Sequence, residues 1–163
     1  MLKKNTVLFF LVFIFLYECF LCSVKSIELD DITRTVQLDD SGEQVVLTAK
    51  QIYRGKRLFN NSCAQCHNGG ITKTNPNVGL DLETLSLATP SRDSVLNLVD
   101  YMKDPTDYDG QYYIFERHPS IKSANIFPKM RNLTDEDLFA IAGHILVQAK
   151  TDSTRWGGGK IYY

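Results

Sequence analysis

The chain has 163 residues, with 18 lysines and arginines against 19 aspartates and glutamates, and a formal net charge of −1. That length is about one domain's worth. A balance so close to neutral excludes the strongly basic character of a nucleic-acid binder and leaves protein surfaces as the natural partners.

The first residues read as a targeting segment. Lys3 and Lys4 precede an unbroken apolar run over 7–17, which Glu18 ends. A run of 11 residues suits a signal-peptide core and falls short of the roughly 20 needed to span a membrane. That spacing disfavours an uncleaved anchor. Val24 and Ser26 take the −3 and −1 positions, so cleavage is expected after Ser26. Leu21 before Cys22 does not suit a lipoprotein site, which calls for a small residue there. The expected organisation is a signal peptide over 1–26 and a single domain over 27–163, with an N-terminal hairpin extension and a C-terminal tail. Cleavage leaves 137 residues with 15 basic and 18 acidic side chains, a net charge of −3. Cys19 and Cys22 leave with the signal. Only Cys63 and Cys66 remain, three apart, which is no disulfide framework.

Two alternating runs, 33–38 and 44–48, flank Asp39-Asp40-Ser41-Gly42 and predict a hairpin. Thr48 and Gln51 have capping-box spacing, so a helix should run from there to about Asn60. Gly55 and Phe59 lie one turn apart on it, where a second helix could approach closely. A short helical turn is expected over 81–87. Thr89-Pro90 reads as the next helix start, with proline at the first position. Its apolar stripe is Val95, Leu98, Val99 and Met102, and Pro105 should end it. Residues 104–131 look irregular. Thr134 caps a last helix, with Asp135, Glu136 and Asp137 near its positive end. Leu138, Ile141, Ala142, Ile145 and Ala149 form its core face. The tail, WGGGKIYY, ends apolar and aromatic, so it either folds back or docks on something. The class is all-α, and three helices with so little strand make a thin core unless something central fills it.

Cys63-Ala64-Gln65-Cys66-His67 supplies a candidate for that centre. CxxCH is the pattern of covalent haem attachment. Two thiols one helical turn apart can add across the two vinyl groups at one porphyrin edge, and the following imidazole then reaches the iron. A zinc site would need two more ligands, and His118 and His144 lie 26 apart, unlike a zinc finger. A thioredoxin-like CxxC would need a βαβ setting that is absent.

His67 fills one axial position. Candidates for the other are His118, His144, Met102 and Met130. Met102 belongs to the apolar stripe of its helix and reads as core. His144 lies off the core face of the last helix, on its flank or surface. Met130 sits in Phe127-Pro128-Lys129-Met130, and His118 in Arg117-His118-Pro119, where Pro119 keeps the backbone extended. Both are usable haem ligands. The residues alone leave these two open.

The stretches CAQCHNGGITKTNPNVGLDLETLSLATP, DYMKDPTDYDG, HPSIKSANIFPKMRNLTDEDL, AIAGHIL and WGGGKIYY cover most of 62–163. Through them the sequence resembles the photosystem II cytochrome c-550 family, the extrinsic haem subunits of cyanobacteria and red-lineage algal plastids. The resemblance implies a class I cytochrome c-like fold around one covalent haem c. It implies Cys63 and Cys66 as thioether positions, with His67 and His118 as axial ligands. Met130 would then pack near the haem without binding it. It also implies a low potential and no enzymatic turnover. The expected place is the thylakoid lumen, peripheral on the membrane through protein contacts with the photosystem core and other extrinsic subunits. The expected role is to stabilise the oxygen-evolving manganese-calcium cluster and its calcium and chloride supply. A soluble lumenal electron carrier is the alternative.

Overall fold

The computed structural model describes Phe13 and residues 29–157. The expected signal segment, Phe13 apart, and the tail from Gly158 lie outside them. Among the described residues no helix is long and apolar enough to cross a membrane. The architecture is mostly helical with one small sheet.

Asp30 accepts the Thr33 amide and starts a one-turn helix, α1 (Asp31–Arg34). The hairpin follows, as the alternating runs predict, but it is shorter than they are. Strand β1 (Thr35–Gln37) pairs antiparallel with β2 (Gln44–Val46), Val36 opposite Val45. The Asp30 cap claims residues 31–34 for the helical turn, so β1 cannot begin at Thr33.

Thr48 caps α2 (Ala49–Ser62) through the expected box: its hydroxyl accepts the Gln51 amide at 3.2 Å, and Gln51 Oε1 accepts the Thr48 amide at 2.9 Å. The chain passes with one break into α3 (Ala64–His67). Asp81 caps α4 (Leu82–Ser86), matching the predicted turn. The next helix departs from expectation. It is α5 (Val95–Lys103), capped by Ser94, not by Thr89. The Thr89 amide is instead bonded to the Tyr108 carbonyl at 2.9 Å, and Thr89-Pro90 is a cis peptide within that loop. The predicted stripe Val95, Leu98, Val99 and Met102 is nevertheless the buried face. Thr134 caps α6 (Asp135–Thr151), with Asp137 completing a second capping box.

Helix α2 crosses α6 at Gly55. A Cβ there would stand 1.9 Å from the Ala140 carbonyl oxygen and 2.9 Å from His144 Cβ. Phe59, one turn on, is buried in the same crossing. Arg54 Nε and Asp137 Oδ1 pair at 2.6 Å beside it. On another side of α6, Leu47 from the hairpin packs over Gly143. The Lys150 ammonium donates to the Ile32 and Thr35 carbonyls, at 2.7 and 3.1 Å. Helix α5 covers a third side. The face predicted for α6 is buried, and so are Ala140, His144, Leu146 and Val147. His144 was expected at the flank or surface; it is 3% exposed. A helix packed on three sides has no single core stripe.

Gly55→Ala should therefore cost about 3 kcal/mol, the upper end for overpacking, because the methyl meets backbone rather than a movable side chain. Thermal melting of the purified variant checks it; an unchanged midpoint would show that the helices can move apart.

Candidate haem site

The four predicted site residues come from two distant segments. Cys63 closes α2, its amide bonded to the Phe59 carbonyl at 2.8 Å. The Cys66 and His67 amides both reach back to the Cys63 carbonyl, at 3.1 and 3.0 Å. CAQCH is thus a single helical turn. Neither cysteine is in a disulfide. Burial pushes the Cys63 thiol up to about 12, and neighbouring Cys66 adds a smaller push.

His118 arrives on the irregular segment, which is fastened to the end of α5. The Ile121 and Lys122 amides donate to the Met102 and Lys103 carbonyls, each at 3.1 Å. The His118 amide donates to the Ile114 carbonyl at 2.8 Å. Ser120 and Ser123, both buried, bond each other at 2.8 Å, and the Ser123 hydroxyl donates to the His118 carbonyl at 3.2 Å.

The outcome is a facing pair. The His67 and His118 rings lie 6.0 Å apart, centroid to centroid, inclined by 53°. Two imidazoles bound on opposite sides of one first-row metal ion, each at about 2 Å, put their centroids about 6 Å apart. The second nitrogens are committed. His118 Nδ1 donates to the Pro119 carbonyl at 2.9 Å, which fixes Nε2 as the bare nitrogen. His67 Nδ1 shares a hydrogen bond with the Thr72 hydroxyl at 3.1 Å. Such outer hydrogen bonds orient metal-ligating histidines. Burial lowers the pKa of both rings; His118 falls to about 4, with His67 a smaller cause. Each is neutral at pH 7, the ligating form. Two thiols one turn apart, followed by an imidazole that faces a second one, fit a covalently held haem.

The other candidates lie elsewhere. Met102 is core, as expected. Met130 is 2% exposed, on a short 3-10 turn (Pro128–Met130), and also packs in the core. His144 stands in an aromatic cluster, 5.4 Å from the Phe59 ring and 5.9 Å from that of Trp156. Trp156 donates its indole N–H to the Leu80 carbonyl at 2.9 Å, so this start of the tail does fold back. Among the described residues no group of three or more His, Cys, Asp and Glu converges, as a structural zinc site requires.

Sequence reasoning missed two residues. The Tyr101 ring meets His118 edge-on at 5.1 Å. The Arg92 guanidinium lies 4.0 Å over the Tyr101 ring. Arg92 is 6% exposed and donates through Nη2 to the Asp107 carbonyl at 2.6 Å, while its Nε is buried without a partner. Tyr101 lies between Asp100 and Met102 on α5, but no local pattern marks Arg92.

His144 carries a pH dependence. Burial, with Lys56 nearby, lowers its pKa from 6.5 to about 4. Below pH 6.5 the unfolded chain takes up a proton that the folded chain refuses, so stability falls with acid until about pH 4. The loss is about 3 kcal/mol over that window. His144→Leu should flatten this part of a stability-against-pH profile; an unchanged slope would contradict it.

The family model described as cytochrome c-550 domain matches residues 27–163. The chain is 74% identical over 140 residues to photosystem II extrinsic protein V of Porphyra purpurea, covering 86% of each. It is 68% identical over 150 residues to the protein of the same name from Gracilaria tenuistipitata var. liui, covering 92% of each. The crystal structure of cytochrome c549 superposes with a TM-score of 0.77 at 50% identity, over 78% of this chain and 99% of that one. The fold is thus of the class I cytochrome c type, with a two-stranded hairpin added.

Proposed function

The chain belongs to the cytochrome c-550 family, and from that premise we propose that it serves as an extrinsic haem subunit on the lumenal side of photosystem II. Cys63 and Cys66 hold the haem covalently, one per chain. His67 and His118 ligate its iron. The haem, when bound, supplies a one-electron couple.

The chain's own residues decide how that couple is used. The observation that carries the reading is the facing pair His67 and His118, each with its Nδ1 already committed. A thioether ligand raises a haem potential, and an imidazole in its place lowers it. Two imidazoles therefore favour a low potential, which makes a poor shuttle between high-potential partners. Held from both sides by neutral histidines, the site has no position left for a substrate, and the role calls for no turnover. That weighs for a stationary subunit over a soluble lumenal carrier. The subunit sits peripherally, through protein contacts with the photosystem core and its other extrinsic subunits. Its work there is to stabilise the manganese-calcium cluster and help retain calcium and chloride. Those ions belong to the core, not to this chain.

Removing the protein from photosystem II should depress oxygen evolution, most when calcium or chloride is scarce, and adding it back should restore the rate. Undiminished evolution under both depletions would overturn the reading. The ligand pair has its own test. His118→Met should raise the midpoint potential by on the order of 0.1 V, a fraction of the range that axial ligands command, and alter the haem spectrum. An unmoved potential would show that His118 is not bound.

A further inference from the structure

The charges of the chain are segregated around CAQCH. No aspartate or glutamate occurs over 44–80, which holds Lys50, Arg54, Lys56, Arg57 and Lys73. None occurs over 117–134, which holds Arg117, Lys122, Lys129 and Arg131. Between them, 81–116 carries eight carboxylates and only two basic residues.

The fold brings the two acid-free segments together. The Ser62 hydroxyl, at the end of α2, donates to the Lys129 carbonyl at 3.5 Å. Lys73 lies against the haem-attachment turn from another side: its amide bonds the Cys66 carbonyl at 3.0 Å, and its ammonium the Gln65 carbonyl at 2.7 Å. Tyr53, Lys56, Arg57 and Asn60, at helical spacings of three and four, form one exposed stripe of α2 that leads into Cys63. Lys73, Lys129 and Arg131 are exposed as well. Among the described residues, none of Lys56, Arg57, Lys73, Lys129 and Arg131 is in an ion pair, whereas Arg54 and Lys122 each have a carboxylate partner.

We propose that this face, the outer stripe of α2 with Lys73, Lys129 and Arg131 around CAQCH, docks on an acidic protein surface of the photosystem. Charge complementarity names the partner's sign: five unpaired cations on a chain that is acidic overall would repel a basic surface and attract an acidic one. The companion residues name its class. Tyr53 is 72% exposed within the stripe, and Asn60 and Gln65 beside it are polar. An exposed tyrosine with arginine is typical of protein interfaces, whereas surface insertion into lipid calls for an apolar face of Trp, Phe or Leu. The proposal rests on the extrinsic-subunit reading.

The test is rebinding of the haem-loaded protein to photosystem II particles stripped of their extrinsic subunits, followed by haem absorbance across a salt series. The variants are Lys56→Glu with Arg57→Glu, Lys129→Glu with Arg131→Glu, Arg57→Glu alone, and Arg155→Glu as the control. Arg155 is exposed near the end of the described chain and pairs only with Asp152. Each variant is first shown to keep the wild-type haem spectrum and melting point. Each double reversal should weaken binding by about tenfold or more and flatten its salt dependence, while Arg155→Glu changes it less than twofold. Wild-type affinity in both double variants would overturn the proposal, and so would equal losses for Arg57→Glu and Arg155→Glu, which would reduce it to net charge. Binding of the wild type to phosphatidylglycerol vesicles as tightly as to the particles would replace the protein partner by lipid. Failure of the wild type to rebind at all would overturn the subunit reading itself.

Discussion

Helices α2 and α6 touch backbone to backbone at Gly55, and the position of the CAQCH turn depends on that contact. A side chain there would strike the Ala140 carbonyl, so the two helices come as close as they do only because the residue is glycine. The approach fixes the axis of α2, and α2 ends at Cys63. One turn beyond lies His67. A shift at the crossing would therefore carry both thiols and the first imidazole with it. The neighbours of Gly55 reinforce the contact: Phe59 fills the space one turn along, and Arg54 pairs with Asp137, the residue that also completes the cap of α6.

The second imidazole is held by different means. His118 lies on no helix, yet its segment is fixed by backbone hydrogen bonds to the last turn of α5 and by the buried Ser120–Ser123 pair. Helix α5 in turn packs on α6. Both sides of the site are thus referred to one helix, α6, through α2 on one side and α5 on the other. This explains why α6 is buried almost all round, and why His144 lies inside an aromatic cluster instead of facing water.

What could be read from the sequence follows the range of the interaction involved. The capping box at Thr48 and the N-cap at Thr134 are local signals, and both formed as predicted, the second with Asp137 completing a box as well. Gly55 and Phe59 could be read because a crossing leaves its mark at helical spacing on one segment. Thr89-Pro90 misled because proline at a first helical position is a strong local signal, while the Tyr108 carbonyl that takes the Thr89 amide lies 19 residues on. His144 was misplaced because a single core stripe was assumed for a helix that packs on three sides. CAQCH announced a haem unaided. The choice between His118 and Met130 stayed open, since it depends on how a long irregular segment docks on Met102 and Lys103, which no local pattern encodes. Only the family resemblance pointed to His118, and the fold sets that residue opposite His67.

The interior around the pair is neutral with one exception. Burial pushes His67, His118 and His144 down and the Cys63 thiol up, so each is uncharged at pH 7. Near them Arg92 keeps its charge, and, unlike the buried Asp137, which pairs with Arg54, it has no carboxylate partner among the described residues. A lone buried cation is costly unless dipoles replace its water. Here the Thr106 and Asp107 carbonyls and the face of Tyr101 do so, the last worth about 2 kcal/mol when desolvated. The arrangement joins three segments at one residue. The Arg92 amide bonds the Leu85 carbonyl near the end of α4, its Nη2 holds the 106–107 loop, and its plane supports Tyr101, which presses on His118. A lysine would keep the charge but lose the flat stack on Tyr101. The constraint on position 92 is therefore one of shape as much as of charge: the ring behind His118 is held in place by a planar cation that lies over it while bonding two neighbouring carbonyls of the 106–107 loop.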